Sequence, residues 1–253
     1  MVNIVLPISR QDYLKPVFDS LNALDRPIDT ELIILTDGDR ELERAVDRRL
    51  DSLNYSNVKI VSFGSAPAST INDRRYRISA IHNQAKHYIS EDCDYVFSIE
   101  DDTTYPPDTL VKMLDTFGKY EETGFVEGVQ LGRHRTPYVG GWLIDDVYNP
   151  QHIESVMPHP DLQRIQAGGL YCALIDAQLY KMHYFEPYDK DGKNGLSCDV
   201  NFGIYLAQMG FSSWINWTIP CDHIGDKGSV NIGNTPIRKV TFELNKNRWG
   251  VVI

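Results

Sequence analysis

The sequence predicts an α/β fold in one domain, with a mostly parallel central sheet flanked by helices. Three observations predict it. Short apolar runs of strand length alternate with segments of helical periodicity through the first half of the chain. The fourth of those runs ends in three consecutive carboxylates, Glu100, Asp101 and Asp102, at the carboxyl end of a strand, where open α/β sheets bind their ligands. Over 253 residues, 42% hydrophobic and 24% charged composition is that of a folded chain with ample material for a core.

The first strand is the apolar run Asn3 to Ile8, and Leu14, Val17, Phe18, Leu21 and Leu24 follow helical spacing within Asp12 to Leu24. Glu31 to Thr36 is the second strand, stopped by Asp37-Gly38. Arg40 to Leu53 is a helix, and Val58 to Phe63 is the third strand. A polar loop from Ser65 to Asn72 precedes a helix through Ile78, Ile81, Ala85 and Tyr88, which leads to the strand Tyr95 to Ile99. Tyr105-Pro106-Pro107-Asp108 then starts a helix whose inner face carries Leu110, Met113, Leu114 and Phe117. Beyond it the pattern is less regular: strands at Gly124 to Leu131 and Val139 to Asp145, and a long loop rich in Pro and His from Asn149 to Gln166. Gly168-Gly169 precedes the apolar run Leu170 to Ile175, and helices cover Ala177 to Met182 and Asp199 to Met209. No linker or repeat divides the chain, so a single domain is expected.

The formal net charge of −10 argues against a broad basic surface for nucleic acid or anionic membrane. No run of about 18 apolar residues occurs and the opening ten residues lack the layout of a secretory leader, so no membrane span and a cytoplasmic location are expected. Cys93, Cys172, Cys198 and Cys221 have no CxxC spacing and are expected as reduced, buried thiols.

Three adjacent carboxylates at the top of a hydrophobic sheet repel one another unless something positive sits among them. Mg2+ or Mn2+ suits such oxygens and keeps positions open for phosphate. If the strand stays extended, Glu100 and Asp102 share a face and Asp101 points the other way.

The run from Tyr95 to Leu110, an apolar strand, then Glu-Asp-Asp, then a proline-led helix, resembles the fourth-strand motif of the GT-A glycosyltransferases, particularly glycosyltransferase family 2. Ile4-Val5-Leu6-Pro7-Ile8 is similar to that family's first strand and Ile33 to Gly38 to its second; the resemblance spans residues 2 to 223. It implies a GT-A type domain with a Rossmann-like nucleotide half (1–104), an acceptor half (105–223) and a C-terminal tail (224–253). It places Pro7, Ser9 and Asp37 beside the nucleotide base, Arg74, Arg77 and Asn83 on the segment that closes over the nucleotide, and Asp101 towards the sugar or ribose. Glu100 and Asp102 become metal ligands, with His223, at the end of Trp217 to His223, as the third. Gly168-Gly169 corresponds to the family's glycine pair below the acceptor site. Asp199 falls where the family has its catalytic base, with Cys198 in place of the usual Glu.

The resemblance therefore implies transfer of a sugar from a nucleotide-sugar donor, UDP being the commonest base, to an acceptor hydroxyl deprotonated by Asp199, with inversion and with Mn2+ or Mg2+ as cofactor. The acceptor is left open among glycans, small molecules and modified DNA bases of bacteriophages, the last disfavoured modestly by the acidic charge. Two alternatives stand beside it. A nucleotidyltransferase on a related sheet normally carries a glycine-rich phosphate loop after strand one, where this chain reads Pro7-Ile8-Ser9-Arg10-Gln11. A non-catalytic sugar-binding or scaffold protein would not need Glu100, Asp102, Asp199 and His223 together. Trp142, Tyr138, Tyr171 and Trp214 are weaker candidates for stacking on sugar or base. Arg133-His134-Arg135 and the basic tail from Gly225 are candidates for contact with an anionic substrate.

Overall fold

The computed structural model describes residues 1–63, 71–131, 138–144, 150–154, 160–187 and 197–225. Its first half alternates strand and helix: β1 (Val2–Ile8), α1 (Leu14–Ala23), β2 (Thr30–Thr36), α2 (Arg40–Leu50), β3 (Val58–Ser62), α3 (Ile71–Ala85) and β4 (Tyr95–Ile99). β1 and β4 bury nearly every residue, which is why they read as continuous apolar runs rather than alternating ones. α1 turns Leu14, Val17, Phe18 and Leu21 inward at helical spacing. α2 is started by Asp39, whose carboxylate accepts from Glu41 N–H at 2.7 Å and Leu42 N–H at 3.2 Å. Acids in its first turn and Arg48 and Arg49 in its last complement the helix dipole.

The second half comprises β5 (Thr103–Thr104), α4 (Thr109–Lys119), β6 (Thr123–Gln130), β7 (Tyr138–Ile144), β8 (Pro150–Glu154), β9 (Leu162–Ile165), β10 (Ala167–Gly168), β11 (Cys172–Asp176), α5 (Ala177–Met182), α6 (Cys198–Gln208) and β12 (Ser212–His223). Among the described residues the main sheet runs β3-β2-β1-β4-β11-β6-β12-β5, with β9 added on β12. β1, β2, β3 and β4 pair in parallel, as do β6 and β12, while β11 lies antiparallel between β4 and β6. β10, β7 and β8 form a second, three-stranded sheet. The core occupies both faces of the main sheet: α1, α2 and α4 pack on one, α3, α5 and α6 on the other.

The expected α/β architecture is the one observed. Two segments differ. The long loop expected from Asn149 to Gln166 holds β8 and β9, because edge pairing on β7 and β12 stabilises strands too polar to announce themselves by periodicity. α3 begins at Ile71, inside the expected loop. Among the described residues no helix is long and apolar enough to cross a membrane.

Candidate functional site

β4 delivers the three carboxylates to its carboxyl end, but the chain turns there: Thr103 N–H donates to the Glu100 carbonyl at 3.2 Å. The expected two-residue alternation therefore stops at Ile99. Asp101 and Asp102 face a common partner, whereas Glu100 lies close enough to Cys198 for its charge to help push that thiol upward. Just past the turn, β5 pairs antiparallel with the end of β12, His223 opposite Thr103, and Ile224 N–H donates to the Asp102 carbonyl at 2.7 Å. This pairing sets His223 on Asp102, with Nε2 3.2 Å from Oδ2.

The other ring nitrogen of His223, Nδ1, lies 2.9 Å from the Leu131 carbonyl oxygen. A carbonyl only accepts, so Nδ1 carries a hydrogen, and Nε2 is the ring nitrogen that faces the carboxylate. A carboxylate oxygen beside an imidazole whose far N–H is held by a backbone carbonyl is the donor chemistry of a divalent metal site. Asp102 and His223 thus suit a divalent transition-metal cation such as Mn2+ better than Mg2+, which prefers oxygen ligands alone. Glu100 does not complete a cage with them: among the described residues no three His, Cys, Asp or Glu side chains converge on a point, so the remaining ligands would have to come from elsewhere, such as a diphosphate.

The sequence reading missed Arg10. Its Nε donates to Asp101 Oδ1 at 3.0 Å and its Nη1 to Asp102 Oδ2 at 2.9 Å, and Nη2 also pairs with Asp101. Asp101 Oδ2 is held by Ser9, from the backbone N–H at 2.7 Å and from Oγ at 3.1 Å. The positive charge that the acidic triplet demands is therefore supplied in part by the chain itself. Asp101 and Asp102 are 5% and 0% exposed, so an unbalanced charge there would be costly. A single Arg after β1 was the only signal in the sequence.

The remaining nucleotide-side candidates divide. Asp37, at the end of β2, is ion-paired with Arg77 of α3, and Pro7 pairs with Leu35 two residues upstream, so these three line the same end of the sheet. The side chain of Arg74 lies outside the described residues. Asn83 is not brought to the cluster: its Nδ2 donates to the Phe185 carbonyl at 2.7 Å and its Oδ1 accepts from Phe185 N–H at 3.0 Å, so both ends of the amide tie α3 to the segment after α5.

Asp199 sits in the first turn of α6, and its Oδ1 is buried with no hydrogen-bond partner among the described residues. Helix-end placement alone would favour the ionised form, and its own backbone N–H and Arg75 do pull that way. Burial outweighs them and pushes the carboxyl up to about 7. Cys198 is fully buried, and burial, with Asp199 next to it, raises its thiol further still, so it remains neutral and cannot replace a carboxylate.

Glu127 of β6 is a second residue the sequence reading missed, although it is the lone charge within the run Gly124 to Leu131. It is fully buried, its Oε2 accepts from Gly169 N–H at 2.6 Å, and its Oε1 has no partner among the described residues. Burial, against the pull of Gly169 N–H and Tyr171 and aided by nearby Asp199, holds its pKa well above the carboxylate range. A group protonated in the folded chain and ionised in the unfolded one costs stability as pH rises through and above about 4.3, its unfolded value. Glu127→Gln is therefore expected to gain thermal midpoint relative to the parent between pH 4 and pH 9; a pH-independent difference would show that the carboxyl is not held neutral.

The glycine pair is closely packed against its neighbours. A Cβ on Gly168 would lie 2.3 Å from Phe125 Cε1 and 2.8 Å from Glu127 Cδ, and one on Gly169 would lie 2.2 Å from Tyr171 Cε1. The space is filled by the chain's own side chains. Of the aromatic candidates, Tyr171 donates its hydroxyl to the Gly128 carbonyl at 2.7 Å and Trp214 stacks on Tyr120 with centroids 4.6 Å apart, so both are packing residues. Trp142 packs with Ala167 and Val200, and Tyr138 lies against His152. Arg133, His134, Arg135 and the tail beyond Gly225 lie outside the described residues.

Comparison with solved structures follows this geometry. The mannosyltransferase PcManGT from Pyrobaculum calidifontis, solved with GDP-Man and Mn2+, aligns over 90% of this chain with a TM-score of 0.59 and 14% identity. S. aureus TarS 1–349 in complex with UDP-GlcNAc aligns over 90% with a TM-score of 0.55 and 12% identity. The chain has a GT-A-like glycosyltransferase fold. It spans 58% of the first of these proteins and 57% of the second. No protein-family model and no curated protein matches the sequence.

Proposed function

We propose that this GT-A-like chain is a metal-dependent glycosyltransferase that moves a sugar from a nucleotide-sugar donor, UDP-linked in the first instance, to an acceptor hydroxyl with inversion. The observation that carries this reading is the meeting of Asp102 and His223 at the carboxyl end of β4, with His223 Nδ1 tied to Leu131 so that Nε2 faces the carboxylate. Support comes from the fold shared with a GDP-Man complex and a UDP-GlcNAc complex.

Asp102 and His223 would hold the metal, which when bound supplies positive charge to the departing diphosphate. Ser9 and Arg10 fix Asp101 beside it. Pro7, Asp37 and Arg77 border the base, at the end of the sheet where such folds bind nucleotides. Asp199 takes the proton from the acceptor hydroxyl as it attacks the anomeric carbon opposite the leaving group. A pKa of about 7 leaves it ionised in about half the molecules at neutral pH while keeping it basic enough to accept the proton. This role is supported by the electrostatic influence of Glu100 on Cys198, the residue before Asp199.

Calorimetric titration of UDP and of GDP, each with and without Mn2+, tests the donor site. The expected result is Mn2+-dependent binding of one nucleoside diphosphate, lost in Asp102→Asn. If neither binds the folded protein under any of these conditions, the transferase assignment fails.

A further inference from the structure

The carboxylate pair at the end of β4 has a resident cation that belongs to the chain. Arg10 meets both Asp101 and Asp102, and the oxygen it bonds on Asp102, Oδ2, is the same one that faces His223 Nε2. A divalent cation taken up by Asp102 and His223 would share that oxygen with a guanidinium, setting a double positive charge against a single one in a buried site. Both cannot hold Asp102 at full strength.

Arg10 is placed to leave. It lies in the connector after β1, its side chain is about one-third exposed at 32%, and its guanidinium rests 5.1 Å from the ring centroid of Tyr13, which offers a second support outside the carboxylate pair. Asp101 would keep the Ser9 N–H and Oγ on its other oxygen when Arg10 moves, so its place does not depend on Arg10 alone. The planar guanidinium also matches phosphate oxygens in pairs, so the diphosphate is an anion suited to receive it.

We propose that Arg10 is a built-in competitor of the divalent cation: it holds Asp101 and Asp102 in the metal-free protein, gives up Asp102 when metal binds, and passes to the diphosphate of the incoming donor. The proposal rests on the donor reading above. Metal then binds weakly until a nucleotide supplies the alternative partner for Arg10, which makes metal and donor cooperative.

The test measures Mn2+ binding with no nucleotide present, by the electron paramagnetic resonance of free Mn2+, for the parent, Arg10→Met and Arg10→Lys. If Arg10 holds the pair more than nine-tenths of the time, removing it tightens Mn2+ by about tenfold or more, since only the released fraction is competent. Arg10→Lys, which keeps a charge but loses the fork, falls between. Mn2+-loaded Arg10→Met is expected to bind UDP more weakly than the parent. Equal or weaker Mn2+ binding by Arg10→Met overturns the proposal. Should that variant fail to fold, the parent decides: saturating Mg2+ is expected to shift the Arg10 Nε–H resonance, and an unmoved resonance overturns it equally. Because the metal titrations contain no nucleotide, their failure is separable from failure of the donor reading. Tighter Mn2+ without any nucleotide binding would retain the exchange and remove the donor.

Discussion

Asp199→Asn is expected to lower sugar transfer by about 10²–10⁴-fold while leaving Mn2+-dependent nucleotide binding unchanged, because it removes the acceptor's base and leaves the donor side intact. The same variant is expected to be more stable than the parent at pH 8. Burial raises the Asp199 carboxyl to about 7 from an ordinary value of 3.8, so the folded chain holds a proton that the unfolded chain has released. The parent pays nothing for this below about pH 4, where both states are protonated; its penalty grows up to about pH 7 and is complete above it. Asn removes the penalty, so the gain follows the same window and reaches about 1–3 kcal/mol at pH 8, reduced from the full shift because the residue as a whole is only half-buried. In the parent, kcat/KM is expected to rise with pH through about 7 as the base ionises. A stabilised but inactive Asp199→Asn separates a catalytic carboxylate from a structural one. Full activity in that variant would remove Asp199 from the chemistry.

The chain up to the end of α4 was legible where its strands are buried on both faces and its helices on one. β1, β2 and β4 read as unbroken apolar runs, and α1 and α4 show their inner faces at helical spacing. The position of the acidic triplet followed from the end of β4. Its geometry did not, since alternation applies to extended chain and residues 100–103 turn. Partners far apart in sequence were beyond reach by periodicity: Arg10 and Asp101 are separated by 91 residues, and only the β1–β4 pairing brings them together. His223 was reached through a family resemblance, and the pairing of β5 with β12 explains why it lies over Asp102. The place of Asp199 at a helix start was legible, but its raised pKa was not, because sequence shows a helix start and not the burial that outweighs it.

A glycine in α6 links packing to this chemistry. In an open helix Gly→Ala stabilises by about 1 kcal/mol, since Ala has less backbone entropy to lose. Gly118 of α4 has nothing within 4 Å of a built Cβ, and Gly118→Ala is expected to show that gain. Gly203 of α6 is the opposite case. A Cβ there would lie 2.4 Å from both Ala167 Cβ and the Gln166 carbonyl oxygen and 2.5 Å from Ala167 Cα. These atoms belong to backbone and a methyl group beside β10, with no flexible side chain to swing aside, so α6 itself must retreat. Gly203→Ala is expected to destabilise by about 1–3 kcal/mol, lowering the thermal midpoint by roughly 2–12 °C for a domain of this size. Asp199 lies four residues earlier on the same helix and moves with it. A displacement of about 1 Å at a catalytic group can cost about 10²-fold, so transfer is expected to fall well beyond the loss of folded protein, with nucleotide binding preserved. If Gly203→Ala and Gly118→Ala shift the midpoint alike, α6 is not pressed against β10, and the placement of Asp199 by that contact is wrong.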